Sequence, residues 1–180
     1  VAEVNELSRE ISAGRVKLEE AEERLEKIEK IPPKKRWFQY MAAGLASGTF
    51  ALMLGSSVLE AVAAFLIGFL SYVWVLFAGK HNLSKIIVNI VGGVIMTVLA
   101  LAFMHIPFLP ILKLDGMMVG AIMPMIPGVA FVNAIRDIAD TDFLSGLVRM
   151  IDALLVFVYI AIGVGVTLSI YNTMMGGILR

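Results

Sequence analysis

Five long stretches without a charged residue constrain the fold of this chain more than any other feature of its sequence. A helix needs about 20 predominantly apolar residues to cross the hydrocarbon core of a bilayer, and the stretches have that length. The composition agrees, because 59% of the 180 residues are hydrophobic and 17% are charged, unlike the balance of a soluble domain. We therefore predict an all-α polytopic membrane protein with about five transmembrane helices, near residues 37–54, 58–79, 86–106, 115–135 and 150–171.

Residues 1–31 instead have the pattern of two short amphipathic helices. Apolar residues between Leu18 and Ile28 recur every three or four positions, which places them on one side of a helix. Pro32 and Pro33 end this region, because proline lacks the amide donor and restricts the residue before it. We predict an amphipathic helical segment at 1–31, a basic linker at 32–36, a transmembrane domain at 37–172 and a C-terminal tail at 173–180.

The basic residues indicate which side of the membrane each loop occupies. If residues 1–31 are cytoplasmic, seven Lys and Arg residues flank the cytoplasmic ends of the spans and two flank the opposite ends. This asymmetry satisfies the positive-inside rule, so we expect a cytoplasmic N-terminal segment. The cytoplasmic set is Lys34, Lys35, Arg36, Lys80, Lys85, Arg136 and Arg149, and the opposite set is Lys113 and Arg180.

The fourth predicted span differs from the others because prolines interrupt it. Pro124 and the Pro127-Gly128 pair should kink or unwind the helix. In a bilayer such a break is tolerated only where the freed backbone groups face protein or water. A helix that restarts at Gly128 would point free amides and the positive end of its dipole into the membrane, which suits a carboxylate. A proline kink filled by packing explains the same residues equally well.

A polar face follows the break. A helix presents four polar residues on one side, because they follow one another at intervals of three, one and three positions: Asn133, Arg136, Asp137 and Asp140. Near lipid the charge of Arg136 requires a partner, most simply Asp137 or Asp140. The face either lines a cytoplasmic vestibule or forms an interfacial ion-pair network at the end of the span.

The residues before the fifth span have a capping pattern. Asp142 is placed to cap the N-terminus of that helix, and Ser145 can still reach the first turn. Arg149 and Asp152 are three positions apart, so we expect them to pair as the helix enters the membrane. Capping alone is a sufficient explanation for Asp142.

Glu60 is an isolated acid at the start of the second span. In a protein-lined cavity, burial would favour its protonated form and make it a candidate proton carrier. At the outer surface it would be an ordinary interfacial acid.

Several function classes have no support in the sequence. The chain has no cysteine, which excludes thiolate sites and disulfides. It has only two histidines, which disfavours a His-rich metal site. The acids lack metal-ligand spacing, and we find no phosphate-binding loop, no nucleophile–base pair and no nucleic-acid-binding surface. We expect neither an enzyme nor a cofactor or metal. Gly44 and Gly48 are small residues four positions apart, a spacing that indicates helix packing instead, and Gly92-Gly93 and Gly163/Gly165 suit the same role.

The most specific motif is P-G-x-x-x-x-N-x-x-x-D followed by D-x-x-S-G. It occupies Pro127, Gly128, Asn133, Asp137, Asp142, Ser145 and Gly146. With the stretches AGRVKLEEAEERLEKIEK, GLASGTFALMLGSSVLEA and MPMIPGVAFVNAIRDIADTDFLSGLVRMIDALL, it resembles the N-terminal five-helix membrane domain of the bacterial threonine/serine exporter family. The resemblance covers nearly the whole chain.

The resemblance implies a subunit of an inner-membrane exporter of threonine and serine, driven by the proton motive force. It also implies a second five-helix membrane subunit, a hetero- or homo-oligomer in the lipid bilayer, and a domain that starts upstream of Val1. On this interpretation the helix start at Gly128 receives the carboxylate, Asn133 contacts the hydroxyl, and Glu60 and Asp137 are proton-coupling candidates. The expected substrate pathway contains Pro127, Gly128, Asn133, Arg136, Asp137, Asp142, Ser145 and Gly146.

Two alternatives remain open. Split members of the family are linked to export of small dicarboxylates such as succinate, for which a basic group such as Arg136 should matter more. A non-transporting membrane scaffold, with residues 1–31 as its interaction module, belongs to another class. It predicts that residues 127–146 tolerate substitution.

Overall fold

The computed structural model describes residues 2–16, 18–29, 35–106 and 112–175. Across these ranges the chain forms α-helices and one short 3₁₀ turn, without a β-strand. The predicted all-α polytopic membrane class is therefore confirmed. The chain divides into two compact units, residues 1–35 and 36–180.

The first unit is a pair of amphipathic helices, α1 (Ala2–Ser12) and α2 (Leu18–Glu29). Leu7 and Ala21 are buried between them. Arg24 joins the two helices through an ion pair with Glu10 at 2.8 Å. On α2, the Lys27 ammonium donates a hydrogen bond to Glu23 at 2.8 Å and holds the pKa of that carboxyl below its usual value.

The second unit is a helical bundle that contains the broken segment. The helices α3 and α4 pack as an antiparallel pair, and so do α7 and α8. The helices α5 and α8 pack in parallel, and α6 lies against both α3 and α4. The helices are α3 (Arg36–Met53), α4 (Val58–Lys80), α5 (Lys85–Met104), α6 (Leu114–Ile122), α7 (Gly128–Ala139) and α8 (Phe143–Met174), with the 3₁₀ turn at Met123–Met125.

Three helices in the described ranges are long and apolar enough to cross a bilayer, namely α4, α5 and α8. A fourth span results if α6, the turn and α7 are counted together. The helix α3 has 18 residues but is not among them, because its first turns carry Arg36, Gln39 and Tyr40. The count of five spans thus remains a prediction.

Contacts between helix ends define two ends of this bundle. At the first, which we call the Lys85 end, Lys85 at the start of α5 pairs with Asp152 of α8 at 2.5 Å. At the second, the Lys113 end, the Lys113 amide donates to Glu60 at the start of α4. His105 at the end of α5 and Tyr171 of α8 are hydrogen-bonded to each other at the Lys113 end, at 3.0 Å.

Glycines permit the closest helix contacts, as predicted for most of them. A Cβ added to Gly163 would collide with the Ile90 carbonyl oxygen of α5, and one on Gly93 would lie 2.7 Å from the Ile160 oxygen of α8. The expected packing role is wrong for Gly165, because an added Cβ there would meet nothing within 4 Å. Gly165 lies two positions from Gly163 and therefore faces away from α5.

Candidate functional site

The fourth predicted span is broken where the prolines occur. The segment from Leu114 to Met125 and the helix α7 meet at an angle of 61°. Pro124 lies at the start of the 3₁₀ turn, and Pro127 has the non-helical ψ of 55° immediately before α7 begins. Because neither proline has an amide hydrogen, the regular i→i−4 ladder cannot continue through them.

The break also decides which backbone amides are available. The Gly128 amide donates to the Ile126 carbonyl at 2.8 Å, so it is not free to bind an anion. The Phe131 amide makes the first bond into the new helix, to the Pro127 carbonyl at 3.0 Å. The amides of Val129 and Ala130 precede that bond, and no side chain of the described residues caps them. The expected anion-binding amides are therefore one and two residues beyond Gly128.

Close packing against neighbouring helices holds the broken segment in place. An added Cβ on Gly120 of α6 would lie 2.6 Å from the Ser47 carbonyl of α3, so these two backbones are in contact. The Met125 side chain covers Gly92 of α5, where an added Cβ would lie 2.5 Å from Met125 Cε. The first half of the segment thus packs against α3, α4 and α5, and its second half, α7, packs against α8.

One face of α7 packs on α8 and the opposite face is exposed. Ala134 is fully buried, whereas Val129 is 78% and Val132 is 63% exposed. Asn133 lies on the exposed side, and its side chain makes no hydrogen bond to any residue of the described ranges. The ring of Phe131 contacts Phe157 of α8, with centroids 6.4 Å apart, so the first half of α7 lies beside the apolar part of α8.

The ion pairs of α7 only partly match the expectation. Arg136 does approach Asp140, at 3.5 Å, but both side chains are largely exposed and such a pair contributes little. Asp137 pairs instead with Arg149 of α8, at 2.8 Å. The predicted pair between Arg149 and Asp152 is wrong, because Arg149 faces α7 while Asp152 faces Lys85 of α5.

Asp137 has an unsatisfied oxygen despite this pair. Its Oδ2 atom is buried and lies 2.8 Å from Arg149 Nη1. Within the described part of the chain its contact is the ion pair with Arg149, and it has no hydrogen-bond donor there. Asp137 is therefore held on α8 by charge pairing, in a buried place.

Asp142 lies in the turn between α7 and α8, and Ser145 and Gly146 lie in the first turn of α8. The Asp142 carboxylate accepts a hydrogen bond from the Ser145 amide at 3.4 Å, which confirms the predicted cap of α8. Gly146 is buried, and an added Cβ would lie 2.9 Å from the Ala134 carbonyl of α7. These positions have a structural explanation, and a direct contact with substrate stays a prediction for them.

Glu60 lies at the Lys113 end, away from Asp137. The side chain is buried, and its two oxygens accept hydrogen bonds from the Ser57 and Lys113 amides, each at 2.8 Å. The Ser57 hydroxyl accepts in turn from the Glu60 amide at 3.3 Å, which completes a capping box. The sequence contains the S-x-x-E signature of this box at Ser57 and Glu60, a local pattern from which the cap could have been predicted.

The contacts of Glu60 predict a change in stability. We expect Glu60→Ala to lower the free energy of unfolding by about 1–3 kcal/mol, because two backbone amides lose their acceptor in a buried place. Glu60→Gln should have a smaller effect, since the amide oxygen can still accept one bond. Thermal unfolding in detergent measures both, and equal stability of the native protein and Glu60→Ala would contradict the assignment.

No group of three or more acidic or histidine side chains in the described ranges could hold a metal ion.

Comparison with protein families found a model described as "Putative threonine/serine exporter" that matches residues 1–171. Neither the curated proteins nor the solved structures gave a match. Because the family match includes both amphipathic helices, the broken span and the polar face of α7, the chain belongs to the threonine/serine exporter family.

Proposed function

We propose that this chain is a subunit of a secondary transporter that exports threonine and serine across the bacterial inner membrane. In this proposal the Lys85 end faces the cytoplasm with residues 1–35, and the Lys113 end faces outward. The distribution of Lys and Arg supports the orientation. The proton motive force drives export, as the family resemblance implies.

The exposed start of α7 is the observation that carries the proposal. It combines two uncapped amides, at Val129 and Ala130, with the unpartnered Asn133 side chain, beside an apolar part of α8. Lipid cannot supply hydrogen-bond partners for such groups, so they should face water or protein. A transport pathway meets that requirement, whereas a lipid-facing kink does not.

The arrangement suits the two polar ends of a hydroxy amino acid. Amides at the N-terminus of a helix attract a carboxylate through their N–H groups and the helix dipole. Asn133 follows Ala130 by three residues, or about 4.5 Å along the helix axis. Its amide group can donate to or accept from the substrate hydroxyl.

Asp137 is the stronger of the two proton-coupling candidates. Both oxygens of Glu60 already accept backbone hydrogen bonds, so that carboxylate is committed to holding α4 and α6 together. Asp137 Oδ2 lacks a donor, and the residue is one turn beyond Asn133 on the same helix. A proton bound at Asp137 would weaken its pair with Arg149 and so change the contact between α7 and α8.

A second five-helix membrane subunit completes the transporter in this proposal. The apolar side chains Val129 and Val132 are exposed next to polar Asn133 and Arg136. A face of this mixed character is poorly suited to lipid, and a partner helix would supply both apolar contact and hydrogen bonds.

Transport by an Asn133→Ala variant tests the proposed pathway. We expect efflux of labelled threonine from vesicles that carry the complete transporter to fall by about tenfold or more, because the substrate hydroxyl loses its partner. The control is Val132→Ala, which truncates the exposed neighbouring residue without removing a polar group. Equal efflux by the two variants would remove Asn133 from the pathway.

Export of a small dicarboxylate is the second candidate function. Arg136 favours it, since this exposed cation lies on the same face as Asn133. If a dicarboxylate is the substrate, Arg136→Gln should abolish succinate efflux and leave threonine efflux intact. Threonine efflux that exceeds succinate efflux in the native transporter would decide for the amino acid.

A further inference from the structure

We propose that the Lys113 end carries a second, outward-facing amino-acid site, between the end of α5, the start of α6 and the last turns of α8. A cavity of about 580 Å³ opens there, within the size range of small-molecule sites. The inference rests on the proposed function for its role, which is to hold the exported amino acid before release. Its lining includes Met104, Lys113, Leu114, Asp115, Ser169 and Asn172.

The cavity brings together one cation and one anion. Lys113 and Asp115 flank the first residue of α6, and both side chains are exposed to the cavity. Neither forms an ion pair with any residue that the structure describes. A zwitterionic amino acid offers a carboxylate for the Lys113 ammonium and an ammonium for the Asp115 carboxylate. A dicarboxylate would pair with the Lys113 ammonium, but the Asp115 carboxylate would repel it. The two charges together therefore favour a zwitterionic amino acid over a dicarboxylate.

An unsatisfied polar atom lies in the same wall. Asn172 Oδ1 is buried and has no hydrogen-bond partner among the described residues. Such an atom is costly to leave unpaired. Because Asn172 also lines the cavity, a flip of its amide group would bring this oxygen to a donor that enters there. Ser169 is three residues earlier on α8 and lies on the same side of the helix. The ammonium or hydroxyl of threonine can donate to Asn172, and Ser169 can accept or donate beside it.

Contacts outside the cavity fix the helix ends that form it. The Glu60 carboxylate accepts from the Lys113 amide and so holds the start of α6 against α4. The hydrogen bond between His105 and Tyr171 holds the end of α5 against α8. Lys113 and Asn172 are therefore presented from anchored backbone, which lowers the cost of binding a small ligand.

Thermal unfolding of the full chain in detergent tests the site, with L-threonine as the probe. A ligand that binds only the folded state raises the melting temperature as its concentration rises. We expect the half-maximal threonine concentration to rise by about 10- to 100-fold in Lys113→Gln and in Asp115→Asn, since each variant loses a charge-assisted hydrogen bond. The matched control is Lys80→Gln. It removes an exposed lysine at the C-terminal end of α4, far from the Lys113 end of the bundle. Succinate should give no shift at the concentrations at which threonine does.

The same titration in an Asn133→Ala background separates this site from the pathway of α7. Threonine stabilisation that survives Asn133→Ala and is lost in Lys113→Gln supports the outer site, whatever happens to efflux. Loss of efflux in Asn133→Ala bears only on the proposed function. The outer site is overturned if threonine does not stabilise the native chain, or if it stabilises Lys113→Gln and Asp115→Asn as well as Lys80→Gln.

Discussion

Gly163→Ala is expected to lower the free energy of unfolding by about 1–3 kcal/mol or more, the usual cost of forcing extra volume into a packed interface. The new Cβ would collide with the Ile90 carbonyl oxygen, which is backbone and cannot move aside as a side chain can. Gly93 lies against Ile160 in the same crossing, so α5 and α8 would have to move apart at this crossing to accommodate the methyl group. Chemical or thermal unfolding in detergent measures the loss.

Gly165→Ala is the matched control, on the same helix and two positions away. An added Cβ meets nothing within 4 Å there. Alanine also has the higher helix propensity, so stability should stay constant or rise by up to about 1 kcal/mol. Equal losses in the two variants would show that α5 and α8 do not cross as described.

Asp137→Asn is expected to lower threonine efflux driven by an imposed pH gradient by about tenfold or more, because asparagine cannot bind and release the coupling proton. The variant should retain exchange of labelled for unlabelled threonine, because exchange requires the substrate pathway but no net proton movement. Vesicles that carry the complete transporter allow both measurements on one preparation.

A charge reversal separates proton coupling from simple ion pairing. The double variant Asp137→Arg with Arg149→Asp restores opposite charges between α7 and α8. We expect it to recover the stability of the native protein, since a partly exposed pair contributes only about 1 kcal/mol, but not gradient-driven efflux. Recovery of gradient-driven efflux would mean that Asp137 acts only through its pair with Arg149.

Local backbone chemistry made part of this structure predictable. Pro127 and Gly128 fixed the position of the break, because proline interrupts the helix ladder wherever it occurs. Asp142 was identified as a cap from its place before an apolar helix. Both features depend on residues within one or two turns, which is the range over which sequence patterns are informative.

Contacts between distant residues were less predictable. Arg149 pairs with Asp137 rather than Asp152 because the rotation of α8 directs it toward α7. Lys113 lies 53 residues from Glu60, and no local pattern links them. Gly163 contacts α5 and Gly165 does not, because of the way α8 is rotated about its own axis. The spacing of the two glycines does not predict that rotation.

Cysteine labelling of α7 tests the central claim most directly, namely that this face of the broken span lines a substrate pathway. The chain has no cysteine, so any label on the chain in a single-cysteine variant must be on the introduced thiol. A membrane-impermeant thiol reagent needs an ionised, hydrated thiol, which lipid does not provide. We expect Asn133→Cys to react and threonine to slow that reaction, while the exposed apolar position Val158→Cys on α8 stays unlabelled. An Asn133→Cys variant as unreactive as Val158→Cys would contradict the account.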